Sequence, residues 1–193
     1  MFAIIGIIGG IIYILGDIPY ILDTVKGKTK PHRISWLLFL TLNLIYLANQ
    51  WSLGARSSLY LVVSWILITL VVFLLSIKKG VGGFAKLDIL CLSGAIIGLL
   101  LWWILKTPLV SLYCNLLVST LSYIPTVKKG YFKPNTETHL SWFTTSVAGI
   151  FGSISVGKLD AKLLVVPVYS VIVSTAIFSL LVIRTRQLSL SQK

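Results

Sequence analysis

The chain has 193 residues, of which 56% are hydrophobic and only 11% charged, and its mean hydropathy is +0.95. Ordinary soluble domains run near 45–50% apolar and about 25% charged, so a soluble core is excluded and a single integral membrane domain is expected. The formal net charge of +12 does not indicate nucleic acid, because the basic residues stand in short groups between apolar runs, as loops beside a membrane require.

Crossing a bilayer core takes about 20 helical residues, and seven stretches supply them: roughly 2–22, 35–54, 57–77, 87–105, 108–127, 140–157 and 163–183. Gly27, Pro31, Gly54, Gly80, Gly82, Gly83, Pro108, Gly130, Pro134 and Gly157 punctuate the joints. The start MFAIIGIIGG has no basic segment before its apolar run, so it is expected to be a retained first span and not a cleaved signal peptide. With the N-terminus outside, the inner segments hold Lys26, Lys28, Lys30, Arg33, Lys78, Lys79, Lys86, Lys128, Lys129, Lys133, Arg184, Arg186 and Lys193. The outer segments hold only Arg56, Lys106, Lys158 and Lys162. This bias of 13 against 4 predicts N-terminus outside, C-terminus cytoplasmic and an odd number of spans.

The sequence also repeats. An ungapped offset of 106 lays Ile18-Pro19 on Ile124-Pro125, Ser35-Trp36 on Ser141-Trp142, Ser64 on Ser170, Thr69 on Thr175, Leu74-Leu75 on Leu180-Leu181, Ile77 on Ile183 and Lys78 on Arg184. So many landmarks in register mark a duplication. Spans one to three match spans five to seven. A three-span unit crosses an odd number of times, so the fourth span restores its copy to the same orientation. The expected fold is all-α and integral to the membrane: seven helices, in two parallel three-helix bundles joined by an inversion linker helix. Residues 1–79 form the first repeat, 80–106 the linker and 107–193 the second repeat.

Polar residues on the span faces mark candidate sites. The first span carries Gly6, Gly9, Gly10, Tyr13, Gly16, Asp17 and Tyr20 at steps of three and four, and the fifth carries Asn115, Ser119, Ser122, Tyr123 and Thr126. The second adds Phe39, Asn43, Tyr46 and Gln50; the third and seventh add Ser64, Trp65, Thr69, Ser170, Ser174 and Thr175. Two readings stand for these stripes. They are hydrogen-bonded seams between helices, or they line a solute path between the repeats. Asp17 is the sharpest feature. It lies six residues before Asp23, or about 9 Å inside that end of the helix, where a carboxylate costs about 2.5–3.5 kcal/mol. Either it binds a cationic or hydroxylated substrate or a coupling proton, or it is a structural acid bonded to Tyr123 or a backbone carbonyl. Its repeat partner is Tyr123, so duplication does not account for it. Pro19 and Pro125 are expected to kink their helices as matched hinges.

Trp36, Trp142, Trp102 and Trp103 read as interfacial anchors, while Trp51 and Trp65 could close over a substrate. Cys91 and Cys114 are placed near opposite faces, too far apart for a disulfide, and read as apolar fillers. His32 and His139 sit in inner joints. No His, Cys and acid spacing suits a metal, and no P-loop, nucleophile elbow or HExxH motif is present. No enzymatic activity, metal or cofactor is therefore expected.

The joints PYILDTVKGKTKPHRISW and PTVKKGYFKPNTETHLSW resemble the PQ-loop motif of the SWEET and PQ-loop transporter superfamily. That motif is a proline late in the first helix, a short basic loop and a serine opening the second. Pro19 to Ser35 and Pro125 to Ser141 each span 16 residues, close to the spacing of that family. Tyr20 and Thr126 stand where the family has its glutamine, and the third and seventh spans lack its asparagines. The resemblance implies an alternating-access carrier of a small polar solute such as a sugar, and the polar faces of the spans offer Asp17, Tyr13, Asn43, Tyr46, Ser64, Trp65, Asn115, Ser119, Tyr123 and Ser170 as its candidate substrate contacts. Two alternatives stand beside it: a proton-coupled amino-acid or vitamin carrier using Asp17, and a non-transporting membrane receptor of the same fold. The partners expected are the lipid bilayer and the solute, and a monomer already holds both repeats.

Overall fold

A computed structural model describes residues 1–31, 33–81, 107–134 and 137–191, with separate helical positions between 86 and 104. The predicted fourth span, with Cys91, Trp102 and Trp103, lies largely outside the described residues, as do His32 and the side chain of Pro125. The described chain is all-helical: α1 Phe2–Val25, α2 Arg33–Ser52, α3 Leu59–Lys79, α4 Pro108–Phe132, α5 His139–Ser155 and α6 Ala161–Ser191. These correspond to the first three and last three predicted spans. The ends of α1, α2, α3 and α5 fall within three residues of the predicted ones, whereas α4 and α6 run on. α4 continues through Gly130, which is buried against Leu181. α6 continues through Arg184, Arg186, Gln187 and Leu188, residues that favour helix.

Three of the described helices, α1, α3 and α6, are long and apolar enough to cross a membrane by length and composition. Around α1, the exposed residues are Ile4, Ile7, Ile11, Leu15, Ile18, Leu22 and Val25, whereas the buried ones are Gly6, Gly9, Gly10, Gly16 and Thr24. An outward stripe of aliphatic side chains over an inward stripe of small residues is compatible with a membrane protein, since water disfavours apolar patches of this extent.

The six helices close into a ring. α1 packs on α3, α3 on α2, α2 on α4, α4 on α6, α6 on α5, and α5 on α1, with a lesser contact between α3 and α5. Exchanging the first three helices for the last three maps the ring onto itself. α1 and α4 begin at the same end, here called the Met1 end: Asn49 of α2 reaches Ser111 of α4 there, and Gln50 reaches the start of α6. Both sets of three helices therefore run in the same direction.

The opposite end, at Val25, is pinned at matching positions. Lys79 of α3 donates to the Val25 carbonyl that ends α1. Arg184 of α6 donates to the Tyr131 carbonyl near the end of α4 at 3.0 Å and stacks 4.0 Å over its ring. Val25 and Tyr131 are 106 residues apart. Arg33 opens α2 and donates to the carbonyls of Ser76 (3.0 Å) and Gly80 (2.9 Å). His139, at the same offset, opens α5 and pairs with Thr185 of α6 at 3.3 Å. In each case a side chain meets exposed carbonyls or a side chain at the last turns of a helix, where cations are favoured.

The two seams between the helix sets differ. On the α1–α5 seam, a Cβ built on Gly9 would stand 2.8 Å from the Phe151 Cβ and 3.1 Å from the Ala148 carbonyl oxygen, and one on Gly16 would overlap Thr144. Gly6 and Gly10 instead face α3, against Ser57, Tyr60 and Ser64. The spacing Gly6-xxx-Gly10 thus serves packing within one set of three helices, and Gly9 with Gly16 serves packing between the sets. The α2–α4 seam carries no glycine. Hydrogen bonds hold it, from Asn49 to Ser111 (3.1 Å), Asn115 to the Leu42 carbonyl (2.9 Å) and Tyr46 to Ser119 (3.0 Å).

Candidate functional site

All six helices border the centre of the ring. Its Met1 half is filled. Tyr46, Leu61, Val62, Trp65, Leu112, Leu116, Ala148 and Val166 form one buried core drawn from both sets of helices. Tyr13 packs edge-on against Trp65 there, with ring centroids 6.3 Å apart.

The Val25 half is built differently. A row of rings crosses it. Tyr20 of α1 meets Trp36 of α2 (5.3 Å), Trp36 meets Phe39 (5.9 Å), Phe39 stacks on Tyr123 of α4 (6.3 Å, planes 27° apart), and Tyr123 meets Trp142 of α5 (6.0 Å). All five rings are only half-buried. Asp17, also half-buried, sits beside this row, between Tyr13 one turn before it and Tyr20 one turn after. Its carboxyl group lies within hydrogen-bonding reach of the Tyr13 and Ser141 hydroxyls. The Ser141 hydroxyl donates to the Gly16 carbonyl at 3.0 Å.

The predicted residues thus divide. Tyr13, Asp17, Tyr46, Trp65, Asn115, Ser119 and Tyr123 gather at the centre or on the α2–α4 seam. Asn43 is half-buried on the same face of α2, one turn from Tyr46. Ser64 is spent elsewhere: its hydroxyl donates to the Tyr60 carbonyl and fills the space against Gly10. Ser170 is buried within α6, where its carbonyl accepts from Ser174. Thr69 donates to the Trp65 carbonyl at 2.7 Å, and Thr175 pairs with Ser146 at 2.6 Å. Pro19 lies inside an unbroken α1.

Three expectations are corrected. Asp17 is reached by Tyr13 and Ser141, while Tyr123 is engaged with Phe39 and Trp142. Trp36 and Trp142, read as interfacial anchors, join the central row. Trp51 does not close over the centre: it is 62% exposed, with the Arg56 guanidinium 5.1 Å over its ring. Sequence reasoning missed Ser141 as a site residue, although it aligned Ser141 with Ser35. It also missed Trp36, Trp142 and Asn49; the shared position of the two tryptophans under the repeat offset was the available signal.

Several seam groups keep unused capacity. The side-chain oxygens of Asn49, Gln50 and Asn115 and the indole nitrogen of Trp65 are buried without a hydrogen-bond partner among the described residues. Among the described residues no group of three or more His, Cys, Asp or Glu could hold a metal ion. Compared with protein-family models, with characterised proteins and with solved structures, the chain finds no match in any of the three. The fold and site therefore define an all-helical protein with three helices able to cross a membrane and a polar, aromatic centre shared by both sets of helices.

Proposed function

We propose that the chain is a seven-span membrane carrier built from two parallel three-helix repeats, 1–79 and 107–193, joined by a linker span at 80–106. It passes a small polar solute by alternating access, with its N-terminus outside and its C-terminus cytoplasmic. The observation that carries this reading is the unequal burial of the centre. A dry core from both repeats fills one half, whereas half-buried rings and a carboxyl group line the other. That is the pattern of a carrier closed at the Met1 end with its binding groups facing the Val25 end. The seams supply a way to move. The glycine seam between α1 and α5 keeps two helices in close contact, while the α2–α4 seam exchanges hydrogen bonds that water can replace on opening. No chemical step is required of the residues at the centre.

Asp17 favours one elaboration, coupling to protons, since it is the only Asp, Glu, Lys or Arg within the six described spans. The test is the purified protein in liposomes, given labelled sugars, amino acids and nucleosides with and without a pH gradient. Uptake above empty liposomes is expected, with saturation. Dependence on the gradient that disappears in Asp17→Asn identifies the coupled form. Absence of flux across the whole panel, from protein that remains folded and monodisperse, overturns the carrier reading in favour of a receptor.

A further inference from the structure

The position of Asp17 also says what kind of solute the centre suits. Across the six described spans, residues 2–22, 35–54, 57–77, 108–127, 140–157 and 163–183, Asp17 is the only Asp, Glu, Lys or Arg. The basic residues that match it in charge, such as Lys26, Lys79 and Arg184, are at the Val25 end, where Lys79 and Arg184 are bonded to the Val25 and Tyr131 carbonyls. A carboxylate has room for about four donors. Tyr13 and Ser141 are the two hydroxyls that face it, which leaves capacity for further donors. Beside it runs the row of rings: Tyr20, one turn after Asp17 on α1, then Trp36, Phe39, Tyr123 and Trp142, each half-buried and within 5.3–6.3 Å of its neighbour in the row.

We propose that this centre binds a small organic cation, an alkyl-substituted ammonium, with its charge against Asp17 and its substituents against the faces of the aromatic row. The inference rests on the carrier reading and names its substrate class. Three physical reasons converge. A carboxylate away from bulk water, with no basic side chain in its own spans, gains most from a ligand that brings the missing positive charge. The faces of Trp, Tyr and Phe carry negative potential and attract the same ligand, and several faces beside one acid make the arrangement suited to ammonium groups. A neutral polyol, by contrast, needs donors as well as acceptors at spaced positions. Ser64, expected to supply one of them, gives its proton to the Tyr60 carbonyl of its own helix.

The test compares choline and tetramethylammonium with neohexanol, the uncharged carbon isostere of choline, by thermal shift and binding calorimetry on the full chain in lipid nanodiscs. One pH and one ionic strength are used throughout. Both cations are expected to bind at least about tenfold more tightly than neohexanol. Asp17→Asn should remove that preference, and Phe39→Leu should weaken the cations more than it weakens neohexanol. The wild-type comparison stands even if a variant does not fold. Equal binding of choline and neohexanol, or no binding of either cation, overturns the inference. Liposome flux then separates it from the carrier reading. If sugars cross and cations neither bind nor cross, the carrier stands and the cation falls. If cations bind with the expected preference and nothing crosses, the cation stands and the carrier falls.

Discussion

Asn115 and Gly9 occupy equivalent positions under the 106-residue offset, and so do Leu42 and Ala148. Each member of the first pair faces the carbonyl of the second: Asn115 donates to Leu42 at 2.9 Å, and Gly9 presses on Ala148. One register has thus been kept and two chemistries written into it. A glycine allows backbones to touch and leaves nothing for water to solvate. An asparagine holds the backbones apart and keeps a polar side chain that water can satisfy. At the surface, Asp160 shows residue-scale chemistry that titrates. It accepts from the Lys162 amide at 3.1 Å at the start of α6 and pairs with Lys158 at 3.2 Å. The Lys158 hydrogen bond holds its carboxyl below the usual range despite a small opposing desolvation. A carboxyl whose pKa is lowered on folding stabilises the fold above its unfolded value and loses that contribution as pH falls through the folded one. Asp160→Asn should therefore lower the unfolding temperature at neutral pH. The gap from wild type should narrow as pH falls below about 4, the ordinary carboxylate value. Thermal unfolding at a series of pH values checks this, and a gap independent of pH would refute it.

At the scale of elements, α1 is the most constrained helix. It has to meet α3 through Gly6 and Gly10 and α5 through Gly9 and Gly16, present Tyr13, Asp17 and Tyr20 to the centre, and still show an aliphatic face outward. With 3.6 residues per turn these duties fall on different sides of one cylinder. The fit leaves little tolerance. Gly9→Val would drive a branched side chain into Phe151 and the Ala148 carbonyl, and it should destabilise the protein by about 1–3 kcal/mol. Ile11→Val, on the exposed face, should stay within about 0.5 kcal/mol of wild type. Unfolding in detergent under matched conditions compares the two. Tolerance of Gly9→Val would mean that the α1–α5 seam is looser than its geometry. Elsewhere, short connections rely on glycine in the left-handed region, as at Gly54 (φ 90°) after α2 and Gly157 (φ 74°) after α5, where other residues would be strained.

For the whole molecule, the question is whether the row of rings parts during function. Phe39 and Tyr123 are the pair that joins the two sets of helices across the Val25 half of the centre. In a background lacking Cys91 and Cys114, Phe39→Cys with Tyr123→Cys, bridged by a short thiol cross-linker, should hold the two sets of helices in the arrangement seen here. Flux in liposomes is expected to fall to background on cross-linking and to return on cleavage of the bridge. A matched bridge on the glycine seam should leave most of the flux. Full flux through the bridged Phe39–Tyr123 pair would show that the Val25 half does not need to open there.

Much of this molecule was legible from its chain because the signals were one-dimensional. Apolar run lengths located the six described helices, and the offset of 106 found in the sequence also relates Val25 to Tyr131 and Arg33 to His139, pairs that only the structure shows in matching parts. The alternation of small, polar and aliphatic residues along α1 told its inward face from its outward one. What the sequence could not decide was which polar residues would find one another, since that depends on the order of helices around the ring. Tyr46 and Ser119 are 73 residues apart, and Ser141 and Gly16 are 125 apart. Only the tertiary structure joined Trp36 and Trp142 to the row of rings, spent Ser64 on packing, and set Asp17 beside that row facing Tyr13 and Ser141. Hydrophobic periodicity determines which side of a helix is buried; the neighbour that covers that side is chosen by packing.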